Sequence, residues 1–122
     1  MKNGNGEIIT MKRGEIWWAS LDEPRKSEPG YRRPVVIVSA NEFNQSKIQT
    51  IIAAVITFNL RLADAPGNFK LSKASSHLTR DSVVNVSQVI TLDKAFLTKK
   101  VGKLNAQQVH ALNEGLKLVL SV

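Results

Sequence analysis

Apolar positions in this chain form short β-like runs between polar loops rich in glycine and proline, and one long helical stripe closes the sequence. Positions 15–21, EIWWASL, alternate. Ile16 and Trp18 fall on one face, Trp17 and Ala19 on the other, which predicts a strand with one tryptophan in the core and one at a surface. VVIVS at 35–39 and TIIAAVIT at 50–57 are apolar almost throughout and rich in β-branched residues, as expected of strands covered on both faces. Phe69 to Leu71, Ser82 to Val86 and Gln88 to Leu92 predict further short strands. Asn41 to Gln45 and LDKAFL at 92–97 each read as a turn or a single turn of helix, and KKVGKL at 99–104 as a connector. From Asn105 to Leu120, Val109, Leu112, Leu116, Val119 and Leu120 mark one helical face. Asn105 is a good N-cap there, and Gln108 can complete a capping box. Five to seven short strands and a closing amphipathic helix predict a mostly β protein with short helices, a small and largely antiparallel barrel or open sheet.

Composition narrows the picture. The 122 residues fit one domain. MKNGNGEIIT at 1–10 reads as a flexible leader and 11–122 as the folded domain, with Met11 an alternative start. There is no cysteine, which excludes disulfides and thiolate metal sites, and no apolar run approaches the ~20 residues of a membrane span. A cytoplasmic protein without membrane association is expected. Seventeen Lys and Arg against ten Asp and Glu give a net charge of +7. Such a surface favours nucleic acid or an acidic partner.

Most enzyme chemistries find no support in the residues. Phosphate-binding glycine loops, His-Glu metal patterns and nucleophile elbows are all missing, and the carboxylates are scattered, so no cofactor and no metal are expected. His77 lies in a serine-rich loop and His110 beside the apolar stripe, neither with a partner that would make it an acid–base group. What stands out is residues 27–38, SEPGYRRPVVIV, where a charged loop runs into a buried strand. Pro34 holds Arg33 extended at the strand's entry. Thr57 ends the next buried strand. Arginine stays charged and forms bidentate contacts with phosphate, and Thr57 can donate a hydroxyl to a phosphate oxygen. Arg32 would attract phosphate, and Tyr31, Trp17 or Trp18 could stack on unpaired bases. Glu28 could orient Arg33 or accept a proton. The other reading stays open: Arg33 in an exposed ion pair with Glu28 or Asp22, worth little.

The segments RGEIWW (13–18), SEPGYRRPVVIVS (27–39), VIT (55–57), RDSVVNVSQV (80–89) and the final helix ending GLKLVL together resemble the MazF/PemK toxins of bacterial toxin–antitoxin systems, in order and spacing, from Met11 to Val122. The resemblance implies a src-homology-3-like β-barrel with a C-terminal helix, of the PemK/MazF/CcdB toxin type. It implies a sequence-specific, metal-independent endoribonuclease that cuts single-stranded RNA through the neighbouring 2′-hydroxyl, leaving a 2′,3′-cyclic phosphate and a 5′-hydroxyl. Arg33 and Thr57 match the family's essential arginine and threonine. Ser27 and Glu28 match the Ser-Glu pair of its first loop, and Asn44 and Gln88 match substrate-contacting positions. A homodimer is implied, and a cognate antitoxin with an acidic C-terminal segment. Pro29, Tyr31 and Ile90 depart from the common pattern around the RNA groove. Two rival functions share this outline: a CcdB-like gyrase poison, and a non-catalytic nucleic-acid-binding barrel.

Overall fold

The computed structural model describes residues 10–21 and 31–122. The leader at 1–10 therefore lies almost wholly outside the described residues. Six strands form one antiparallel sheet: β1 Glu15–Ser20, β2 Arg32–Ile37, β3 Thr50–Thr57, β4 Phe69–Leu71, β5 Ser82–Asp93 and β6 Leu97–Lys103, in the order β4-β5-β3-β2-β1-β6. Helices are α1 Asn41–Gln45, α2 Lys73–Ser76 and α3 Ala106–Leu120, with 3₁₀ turns at Leu60–Asp64 and Lys94–Phe96.

The two apolar runs lie in the central strands β2 and β3, with β2 shifted from the expected 35–39 to Arg32–Ile37 because Arg32 and Arg33 already pair with Ser20 and Ala19 of β1. Val35, Val36, Ile37 and most of β3 are fully buried because the curled sheet carries a core on each face. One cluster gathers Trp17, Ala19, Val35, Ile37, Ile51 and Val55, and the other Ile16, Val36, Ile56, Val84, Val86 and Leu112. Alternation along β1 sends Trp17 to the first cluster and leaves Trp18 partly exposed at the edge of the second.

Two differences from the pattern-based expectation concern the right-hand part of the chain. The two strands expected at 82–92 are one strand, β5. Its pairing to β3 jumps from Val89 opposite Ala54 to Asn85 opposite Val55, so three residues loop out as a bulge within a continuous element. The stretch expected as a connector is the edge strand β6, whose exposed Lys99, Lys100 and Lys103 discourage pairing with another chain. Bulges in the β1–β6 and β3–β5 ladders bend the sheet. The bend brings Gly102 of β6 against α2, where a Cβ would meet the Ser76 carbonyl oxygen at 2.8 Å. The far edge of the sheet is thereby closed on the connection between β4 and β5, as a half-barrel.

Helix α3 opens with the expected capping box: Gln108 N–H donates to Asn105 Oδ1 at 2.8 Å, and Asn105 N–H donates to Gln108 Oε1 at 2.9 Å. Leu112 is buried, and the helix backbone meets the turn at Gly67 so closely that a Cβ on Gly115 would lie 2.3 Å from the Gly67 carbonyl oxygen. The stripe is not buried to its end. Val119 is 38% and Leu120 52% exposed, because the sheet stops short of the last turn.

One buried charge ties β1 to β6. Glu15 accepts from Lys100 at 2.9 Å, from the Lys12 backbone N–H at 2.9 Å and from Trp17 Nε1 at 3.1 Å. Burial pushes its carboxyl up, but Lys100 and the two N–H donors outweigh this and hold it below the ordinary value of 4.5.

Candidate functional site

The pairing between β2 and β3 ends at Val35 opposite Val55. Beyond it Pro34 has no N–H to offer, and the strand ends part. The opening is a cleft of about 470 Å³ lined by Tyr31, Arg32, Arg33, Pro34, Ile56, Thr57, Phe58, Asn59 and Arg80. Continued for two residues, the β2–β3 register would set Arg33 opposite Thr57, so two residues far apart in sequence come to line one cleft because two buried strands share a register.

Thr57 is 7% exposed, and its hydroxyl oxygen accepts the Asn59 N–H at 3.1 Å. That bond occupies an acceptor site and leaves the hydroxyl hydrogen for another oxygen. Asn59 is itself fixed by capping the following 3₁₀ turn, accepting from the Arg61 N–H at 3.2 Å. Arg33 is half-buried. Its Nε donates to the Tyr31 hydroxyl, and its guanidinium carbon lies 5.1 Å from the centre of the Tyr31 ring. Arg32 faces the other way, as strand alternation requires. It lies 5.3 Å over Trp18 and reaches Thr98 Oγ1 at 3.5 Å. Arg80, on the far side of Thr57, lies 4.8 Å over Phe58. Each of the three arginines lining the cleft is thus set on an aromatic face, which restrains a long side chain; Arg33 keeps its terminal N–H groups and Arg80 its whole fork for another acceptor. None forms an ion pair with an acid among the described residues.

Of the residues singled out by sequence, Tyr31, Arg33 and Thr57 come together here, while Arg32 lines the rim with its side chain turned to Trp18 and Thr98. Ser27 and Glu28 lie outside the described residues. Gln88 is exposed on the β5 bulge and accepts from Asn85 Nδ2 at 3.4 Å, farther along the β3–β5 ladder than the Thr57–Val83 pair. Asn44 is elsewhere. It is 5% exposed, its Nδ2 donates to the Ser39 carbonyl at 2.9 Å and its Oδ1 accepts from the Ser39 hydroxyl, while Lys94 caps its carbonyl. It lies in α1 and is bonded to Ser39, which pairs with Ile52 of β3, five residues or about 17 Å along the strand from Thr57. His77 packs against Gly102 and His110 is exposed on α3, both away from the cleft. Among the described residues, no three acidic or histidine side chains converge as metal ligands.

Phe58, Asn59 and Arg80 line the cleft without having been singled out. Phe58 and Asn59 simply follow Thr57. Arg80 arrives through the β3–β5 register, which places Val83 opposite Thr57 and so carries the segment before β5 to the same end of the sheet.

A cationic cleft at the end of a curled antiparallel sheet suits a polyanion. The family described as PemK-like, MazF-like toxin of type II toxin–antitoxin system matches residues 12–120. Endoribonuclease MazF6 of Mycobacterium tuberculosis is 44% identical over 114 residues, covering 93% of this chain and all of the relative. Endoribonuclease EndoA of Bacillus subtilis is 30% identical over 114 residues, covering 93% and 97%. Among solved structures, Mycobacterium tuberculosis toxin MazF-mt6 superposes with a TM-score of 0.72 at 25% identity, over 88% of this chain and 97% of that one. A MazE–MazF complex from Deinococcus radiodurans superposes at 0.76 with 19% identity, over 94% and 99%, which shows the shared fold. The chain belongs to the PemK/MazF family of type II toxins.

Proposed function

We propose that this toxin is an endoribonuclease that cuts single-stranded RNA in the cleft between Arg33 and Thr57, acting in the cytoplasm. The observation that carries the reading is the convergence of a fixed guanidinium and a buried hydroxyl with a free hydrogen at the parted ends of two core strands. Names of relatives 44% and 30% identical over nearly the whole chain support the same activity.

In the proposed reaction the 2′-hydroxyl oxygen attacks the adjacent phosphorus and the bond from phosphorus to the 5′-oxygen breaks. The 2′-hydroxyl loses its proton and the 5′-oxygen gains one, leaving a 2′,3′-cyclic phosphate and a 5′-hydroxyl. Negative charge grows on the non-bridging oxygens as the fifth bond forms. Arg33 N–H groups stabilise that charge, and Thr57 donates its hydroxyl hydrogen to one of those oxygens. Arg33 hardly deprotonates, so it acts through charge and not as the base. Glu28, five positions before Arg33, is the carboxylate proposed to take the 2′-hydroxyl proton. Ser27, Asn44 and Gln88 are proposed to contact the RNA, as the family resemblance implies.

The partner is a cognate antitoxin with an acidic segment, which a +7 chain attracts over the same cationic cleft. Exposed Leu118, Val119, Leu120 and Val122 at the end of α3 support a homodimer that covers this apolar end. Leu120→Lys should then shift the protein towards monomer in light scattering.

Arg33→Ala should abolish cleavage of mixed RNA oligomers in EDTA while the circular dichroism spectrum is unchanged. Thr57→Ala should lose rate more than RNA affinity. Full cleavage by the Arg33 variant would remove the catalytic assignment. Mass spectrometry of the RNA ends separates this reading from gyrase poisoning or simple binding, neither of which makes cyclic phosphates.

A further inference from the structure

We propose that Arg80, held on Phe58, binds a second phosphodiester of the RNA, next to the one at Arg33 and Thr57. The proposal rests on the endoribonuclease reading and extends it to how the strand is held.

Sheet order supplies the geometry. β3 lies between β5 and β2, and Thr57 ends β3. Arg33 enters from β2 on one flank, and Arg80 precedes β5 on the other, with both lining one cleft. The backbones of β5 and β2 stand two ladder spacings apart, about 9.6 Å. The two guanidinium groups are anchored on different rings, Arg33 on Tyr31 and Arg80 on Phe58, so they enter the cleft from separate supports and suit two phosphates in succession. Thr57 ends the strand that lies between the two flanks.

Arg80 is also in the state a phosphate-binding group needs. Its sequence neighbour Asp81 is turned to another task, since one carboxylate oxygen accepts the Lys73 backbone N–H at 2.8 Å. Among the described residues no acid pairs with Arg80. One face of its guanidinium covers the Phe58 ring at 4.8 Å, which fixes the plane and leaves the N–H edges for an oxyanion. Phe58 directly follows Thr57, so the ring that carries Arg80 is attached to the residue proposed to touch the reacting phosphate. Lysine could supply the charge but not the stacked fork.

The test uses a single-stranded RNA oligomer fully methylated at its 2′-oxygens, which cannot be cleaved, with binding read by fluorescence anisotropy across a salt series. Arg80→Gln should bind about tenfold more weakly at low salt, the scale of one charge-assisted contact. The slope of log affinity against log salt should become shallower by about 0.7, one phosphate contact fewer on a single strand. Arg80→Lys should keep the parent slope but bind more weakly. Phe58→Leu should also bind more weakly, and adding it to Arg80→Gln should cost nothing further. Arg80 is exposed, so the melting temperature should stay with the parent. An Arg80→Gln variant with the parent's affinity and slope overturns the proposal while the parent still binds and cuts RNA. A parent that neither cuts unmodified RNA nor binds the methylated oligomer overturns the endoribonuclease reading itself.

Discussion

The contact between α3 and the turn at Gly67 yields a prediction of unusual sign. Gly115 lies inside a fifteen-residue helix, where alanine ordinarily gains about 1 kcal/mol over glycine. Here the added Cβ would lie 2.3 Å from the Gly67 carbonyl oxygen and 3.2 Å from Val86 Cγ1. The near neighbour is backbone, so no rotamer change relieves it. To reach ordinary contact the helix or the turn must move by about 1 Å, the scale at which overpacked cores lose about 1–3 kcal/mol. The movement also draws Leu112 off the sheet, so the larger end of that range applies and outweighs the propensity gain. Gly115→Ala should be net destabilised by about 1–2 kcal/mol. With about 2.1 cal/mol/K of unfolding entropy per residue, a chain of 122 residues shifts by about 4 °C per kcal/mol, so the melting temperature should fall by about 4–8 °C. Differential scanning calorimetry reads this directly, with exposed Glu114→Ala on the same helix as the control. A Gly115→Ala protein that melts at or above its parent would refute the reasoning, because propensity alone would then have decided the outcome.

Two further outcomes follow from buried polar groups. Glu15 titrates below its ordinary value in the folded protein, so its contribution to stability is present above about pH 4.5 and is lost as pH falls through the lowered folded value. Urea melts of the parent and Glu15→Gln should differ by about 1–3 kcal/mol at neutral pH. The gap should close as pH falls through the lowered folded value, and one that persists once the carboxyl is fully protonated would show that charge is not its origin. Asn44→Ala should lower stability by about 1–3 kcal/mol, because it takes the Nδ2 donor from the Ser39 carbonyl and leaves the Ser39 hydroxyl hydrogen only the longer bond to the Ile52 carbonyl. RNA affinity measured on the fully folded variant then decides whether Asn44 also contacts the substrate.

How much of this was legible in advance differs by element. β3, β4 and α3 with its capping box stood clear in the sequence, because β-branched runs and an N-capped stripe are local signals. The opposite burial of Trp17 and Trp18 followed from alternation. β6 was hidden because an edge strand with solvent on one side reads LTKKVGK, a run of lysines with little apolar pattern. The continuity of β5 was hidden because a bulge interrupts alternation exactly as a turn would. The exposed end of α3 was hidden because periodicity marks an apolar face without saying what covers it. Arg33 and Thr57 were picked out by chemistry and by family resemblance, and register explains their meeting. Arg80 went unnoticed since no local pattern says which loop a ladder will carry to a given sheet end.

The parting of β2 and β3 at Pro34 has a consequence for how such a protein can diversify. The residues that face the cleft from its rim, such as Tyr31 and Arg80, are exposed and contribute little to folding, whereas the strands that aim Arg33 and Thr57 are among the best-buried parts of the chain. Recognition and foldedness therefore rest on separate sets of side chains. A lineage built on this plan can try new RNA preferences by substitution at the rim while the scaffold that aligns Arg33 and Thr57 stays intact.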